Sequence, residues 1–154
     1  MLKRVILAVF LAWATASPSL AEPIPAGFND EGIAWFDLSS GLKEAEASGK
    51  PAMILAHATW CPVCKEYKQA FFDPAVVAAS KDIVFILIDV DAEPEAGARY
   101  EPDGGYIPRT MVVDGKGNLV RELTSGNDSY NYFLDPSSSD HLLEILEKAA
   151  ALNP

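Results

Sequence analysis

Two cysteines, Cys61 and Cys64, are the only ones in the 154-residue chain, separated by Pro62 and Val63 alone. Thiols at this spacing can bridge, so the pair can pass between dithiol and disulfide. As a staple the bridge is poor, because closing a four-residue loop contributes only about 2 kcal/mol in the chain-entropy model. Redox or ligand chemistry explains the pair better than structure does. Half of a zinc site has the same spacing, but zinc needs about four ligands, and the remaining nitrogen candidates are His57 and His141. A structural zinc site is therefore disfavoured, and a two-thiolate site for a soft ion such as Cu(I) stays open as the alternative.

The flanking residues decide how such thiols would be presented. Residues 52–58 (AMILAHA) are short and apolar and follow Pro51, the pattern of a buried strand. After Cys61 the spacing turns helical, with Cys64, Tyr67 and Phe71 on one face. Strand, CxxC, helix places Cys61 at a helix N-terminus, where unpaired N–H groups and the helix dipole favour a thiolate. Pro62 suits the first helical position, since its missing N–H had no partner there. Cys64 falls one turn deeper, on the buried face. The roles that follow are attack on a substrate disulfide by Cys61 and resolution of the mixed disulfide by Cys64. Lys65 reads as a solvated helix lysine. His57, on the strand leading to the motif, reads either as a packed strand histidine or as a group that approaches the thiols.

The rest of the chain supplies one domain around this unit. An irregular leader over residues 22–32 precedes a helix capped by Asp37, with Leu38, Leu42 and Ala45 as its apolar stripe and Ser48-Gly49 as its stop. A short helix is expected over residues 75–80 and a buried strand over 83–90 (IVFILIDV). A loop rich in acids, Pro and Gly spans 91–106. Residues 110–113 and 118–123, around Asp114-Gly115-Lys116-Gly117, predict a hairpin. Leu142, Ile145, Leu146 and Ala149 mark a final helix. Ile107-Pro108 falls between the long loop and a strand start, and these residues alone leave its cis or trans state open.

The N-terminus has Lys3 and Arg4, then an apolar run too short to span a bilayer, then small residues ending at Ala21. This is the pattern of a signal peptide over residues 1–21, cleaved to leave a single domain over residues 22–154 with no membrane anchor. Removing 21 of 154 residues leaves 133, and loss of two cations moves the formal net charge from -10 to -12. Such a surface excludes nucleic acid as a partner. Export, to a periplasm or out of the cell, places the thiols where disulfides persist.

Several segments beyond CxxC resemble the thioredoxin superfamily, in particular the small endoplasmic-reticulum thioredoxin-like proteins related to the anterior-gradient group. They are Gly41-Leu42-Lys43-Glu44-Ala45, His57, Trp60-Cys61, Cys64-Lys65, Pro102-Asp103-Gly104-Gly105-Tyr106-Ile107-Pro108-Arg109 and Gly126-Asn127-Asp128-Ser129-Tyr130. Residues 64–77, with Phe72-Asp73-Pro74, are also similar to the C-terminal domain of bacterial transmembrane disulfide reductases. The resemblance implies an α/β thioredoxin fold, a central mixed β-sheet flanked by helices. It implies a cis Ile107-Pro108 beside the cysteines and a groove of Trp60, Ile107 and Pro108 in which an extended substrate pairs with backbone. The expected activity is protein thiol–disulfide exchange, with protein thiols or disulfides as partners, no organic cofactor and no metal. The reductase similarity favours the reducing direction and a membrane redox partner.

Two departures stand out. The C-terminus, Ala151-Leu152-Asn153-Pro154, is no reticulum retention signal, which favours a periplasm. Thioredoxins carry a buried acid six residues before the first cysteine, and this chain has Leu55 there, which turns attention to His57 for proton transfer. The rival reading is a Cu(I)-delivery or client-binding module that uses the same thiols without turnover. Asn127-Asp128-Ser129 reads as a turn rather than a glycosylation site, and Tyr130, Tyr132 and Phe133 as packing rather than substrate surface.

Overall fold

The computed structural model describes residues 21–152; the signal peptide expected over residues 1–21 lies, but for Ala21 itself, outside them. Four strands, β1 (Trp35–Phe36), β2 (Ala52–His57), β3 (Val84–Asp89) and β4 (Arg109–Val113), form one sheet in the order β1-β3-β2-β4. β1 and β2 flank β3 in parallel, and β4 runs antiparallel to β2, with Leu55 opposite Leu87 on one side and Thr110 on the other. The sheet is mixed, with helices on both faces, as the resemblance implied.

Strand alternation sorts the core into two layers. Met53, Leu55, Phe85, Leu87 and Val112 face Tyr67, Phe71, Val76, Leu142 and Leu146, carried by α2 (Pro62–Tyr67), a 3-10 turn (Lys68–Phe72), α3 (Pro74–Ala79) and α5 (Asp140–Ala150). Ile54, Ala56, Ile86, Ile88 and Met111 face Leu38 and Ala45 of α1 (Leu38–Ser48) on the opposite side. Asp37 caps α1 by accepting the Ser40 N–H at 2.9 Å. The Ser40 hydroxyl on that carboxylate holds its pKa below the usual value. Gly41 is required in α1: a Cβ there would stand 2.4 Å from the Ile86 side chain, so only glycine lets the helix approach the sheet. Gly49, at φ 72°, ends it.

Two local expectations need correction, and one strand had no sequence signal. β1, two residues long, escapes any periodicity test. The acidic loop over 91–106 contains α4 (Pro94–Arg99), which starts on a proline at its first position but spans too few residues to repeat an apolar spacing. The hairpin turn forms, with the Gly117 N–H donating to Asp114 O at 2.9 Å, but its second arm is not a strand. After the single Val113–Leu119 bridge and a Val120 N–H bond to Val112 O, the chain turns at Arg121 and Glu122. Tyr132 takes over the β4 edge, its carbonyl accepting the Thr110 N–H at 2.7 Å. Among the described residues no helix is long and apolar enough to cross a membrane.

Candidate active site

β2 ends at His57, and four residues later Cys61 opens α2 at the carboxyl end of the central parallel strands, the usual location of sites in such sheets. Cys61 is the N-cap residue, with extended backbone, and its Sγ accepts the Cys64 N–H at 3.1 Å. Pro62 fills the first helical position. Cys61 and Cys64 form a disulfide, with Cα atoms 5.2 Å apart. In this oxidised state both are closed off, at 3% and 1% exposure, packed with Ala58. The asymmetry lies in the surroundings. Trp60, next to Cys61, is 64% exposed, whereas Cys64 points inward, in line with buried Tyr67. Trp60 is oriented by Asp91, which accepts its indole N–H at 2.6 Å from the loop after β3.

Ile107-Pro108 is cis. Ile107 packs with Val63 and Val90 on the cluster made by Ala58, Cys61 and Cys64, and the following Pro108 is buried. Trp60, Ile107 and the two cysteines thus occupy one end of the sheet.

The loop is held by residues to which sequence reasoning assigned no role. Arg109 is fully buried and donates to three backbone carbonyls: Tyr106 O at 2.5 Å, Tyr100 O at 3.2 Å and Gly97 O at 3.2 Å. Glu101 stands 3.6 Å from the guanidinium. Burial pulls the Arg109 pKa down while Glu101 opposes that shift. The Tyr106 hydroxyl donates to the Asp103 carboxylate and accepts the Tyr132 N–H at 3.0 Å, and Asp103 also accepts the Asn131 N–H at 2.8 Å. Burial first, then Asp103, raises the Tyr106 pKa, so the phenol stays a donor. Tyr130 crosses the Tyr106 ring edge-on at 4.9 Å and is half exposed, while Tyr132 is buried. Asn127 folds the intervening turn by accepting the Ser129 N–H at 2.9 Å.

His57 is buried and packs against the Phe28 ring at 5.2 Å, with Asp89 as its register partner on β3. Burial lowers its pKa, Asp89 opposes that, and Lys68, whose ammonium lies over Phe28, adds to the lowering. Among the described residues it makes no hydrogen bond to either sulfur. Leu55 is wholly buried on β2. The polar pair nearby is Tyr67 and Thr110, whose hydroxyl donates to the phenol oxygen at 3.1 Å; burial raises the Tyr67 pKa. His141 sits in the first turn of α5, partly exposed. Among the described residues no group of three or more His, Cys, Asp or Glu side chains gathers as a metal site.

Comparison with known proteins gives these features a context. The chain is 28% identical over 162 residues to anterior gradient protein 2-B of Xenopus laevis, covering 98% of this chain and 97% of that one. It is 27% identical over 135 residues to the human anterior gradient protein 2 homolog, covering 88% and 76%. Its fold resembles a thioredoxin from Thermus thermophilus, with TM-score 0.59 and 20% identity over 76% of this chain and 86% of that one. A disulphide isomerase from Xylella fastidiosa gives TM-score 0.56 and 21% identity over 72% and 86%. A thioredoxin-like family model spans residues 34–115, from β1 through the CxxC helix and the cis-proline to the turn after β4. The mixed sheet, the disulfide at the head of α2 and the cis-proline at the head of β4 all fall within that match, and the chain belongs to the thioredoxin-like family.

Proposed function

We propose that this protein is an exported thiol–disulfide oxidoreductase acting on protein disulfides. The observation that carries the proposal is the Cys61–Cys64 disulfide at the head of α2, packed against Ile107 of the cis Ile107-Pro108 bond. In the reduced protein the Cys64 N–H at the Cys61 sulfur favours a thiolate there. That thiolate attacks one sulfur of a client disulfide, forming a mixed disulfide and releasing the other client sulfur as a thiolate. Cys64, once deprotonated, attacks Cys61, restores the internal disulfide and releases the second client thiol. Two electrons pass to the client, and a donor dithiol, such as a membrane redox partner, returns them.

His57 is the proposed acceptor of the Cys64 proton. Its lowered pKa keeps the imidazole neutral, the form that can accept one. Trp60, Ile107 and Pro108 form the client groove. The proposed location is a periplasm or the exterior of a cell, after cleavage before Glu22; the intact mass of exported protein tests this, with a retained N-terminus as the contrary result.

Reduction of insulin by the purified protein and a donor dithiol tests the activity, and equilibration with glutathione gives its direction. Tight Cu(I) binding with negligible exchange would replace this reading with metal delivery by the same two thiols.

A further inference from the structure

Arg109 presents a problem that burial alone does not solve. A fully buried cation is costly unless its donors are satisfied, and the partners here are mainly three neutral carbonyls, with one carboxylate, Glu101, at 3.6 Å. Two of the carbonyls, from Gly97 and Tyr100, lie at the C-terminal end of α4, where the negative end of the helix favours a cation; Gly97 O also accepts the Tyr100 N–H at 3.2 Å. The third has a different meaning. Tyr106 O belongs to the peptide bond that joins Tyr106 to Ile107, the residue packed against the cysteines.

That peptide bond is trans, the cis bond being the next one. In a planar trans peptide the C=O and N–H point in opposite directions. Holding Tyr106 O against the guanidinium therefore turns the Ile107 N–H away from it. Among the described residues neither the N–H nor the C=O of Ile107 has a protein partner. The Tyr106 side chain is fixed separately, through Asp103 and the Tyr132 N–H, so the residue is gripped at its carbonyl and at its hydroxyl. Only a planar fork with several donors reaches three diverging carbonyls at once; a lysine ammonium does not.

We propose that Arg109 is a positioning residue: it locks the Tyr106–Ile107 peptide so that the Ile107 N–H is presented to an extended client chain. This rests on the oxidoreductase reading above. Small disulfides have no backbone to pair, so the lock matters only for peptide clients.

The test is Arg109→Lys, with kcat and KM measured on insulin and on a small aromatic disulfide, dithiobis(nitrobenzoate). KM for insulin should rise about tenfold, the usual scale of one hydrogen bond, with kcat and the small-disulfide rate kept within about twofold. The Ile107 amide resonance should shift or broaden while the Cys61 and Cys64 amides stay in place. Equal losses on both disulfides, or an unchanged KM for insulin, would overturn the proposal. Should the wild-type protein reduce neither disulfide, the oxidoreductase reading fails, and the amide spectrum alone decides: an unmoved Ile107 resonance in Arg109→Lys rejects the lock. Should Arg109→Lys not fold, Glu101→Gln, which removes the nearest countercharge, should raise KM for insulin about threefold, and no rise counts against the proposal.

Discussion

The cysteine turn and the proline loop meet at one end of the sheet, but they are built in opposite ways. The turn over 58–64 is closed by short-range bonds: the Cys61 N–H to Ala58 O, and the Cys64 N–H to Cys61 Sγ. The loop over 102–109 is closed by contacts at longer separations, with Arg109 reaching back twelve residues to Gly97 and Asp103 reaching forward 28 to Asn131. The first region needs little beyond strand, turn and helix in succession. The second needs β4, α4 and the 131–132 segment in place before its side chains find partners. Local damage should therefore abolish chemistry in the first region and leave the fold intact, while in the second it should loosen the fold and leave sulfur chemistry intact.

The sharpest contrast comes from the cysteines. Cys61→Ser should lower exchange at least about a thousandfold, because the remaining thiol, Cys64, is buried and faces away from a client disulfide. Cys64→Ser should leave attack in place and remove resolution, so mixed disulfides with client proteins should accumulate and vanish on reduction. Non-reducing electrophoresis reads both outcomes, and equal trapping by the two variants would break the assignment of roles. Neither variant should shift the melting temperature of the reduced protein by more than a few degrees.

On the loop side Arg109→Ala should cost about 3 kcal/mol or more in denaturant unfolding, because it strands buried carbonyls and leaves a cavity. A cost under about 1 kcal/mol would erase the distinction between the two regions. Tyr106→Phe removes the hydroxyl that joins Asp103 to the Tyr132 N–H and should cost about 1–2 kcal/mol. Faster amide exchange should appear at Tyr132 and be absent at Cys64.

His57 offers the smallest effect and ties the turn to pH. Its folded pKa lies below the ordinary value of 6.5, since burial opposes the charge. Above that pH both states are neutral and stability is unaffected. As pH falls below it, the unfolded chain takes up a proton more readily than the fold does, and stability drops until the folded pKa is passed. His57→Gln should flatten this part of the stability curve between pH 7 and 5. It should also slow release of the trapped client if the imidazole takes the Cys64 proton; unchanged release kinetics across that range would remove His57 from the mechanism.

The sequence carried the site's chemistry because that chemistry is local. Pro62 after Cys61, and the repeat of Cys64, Tyr67 and Phe71, already required a helix with the first cysteine at its head. The α1 helix was equally legible from Asp37 to Gly49, and the β2 and β3 strands from their unbroken apolar runs. Only the assembled protein decided the rest. The second hairpin arm over 118–123 had strand-like residues, yet Tyr132, reached through a turn that sequence cannot place in space, took the β4 edge instead. The short helix α4 formed where its C-terminal carbonyls could meet Arg109. Arg109 had no role legible in one dimension, since the three carbonyls that bind it come together only when α4, the proline loop and β4 have packed. Bonds between neighbours can be read along a chain; bonds between backbone groups brought together by folding cannot, because no residue type marks a carbonyl as an acceptor for one particular arginine.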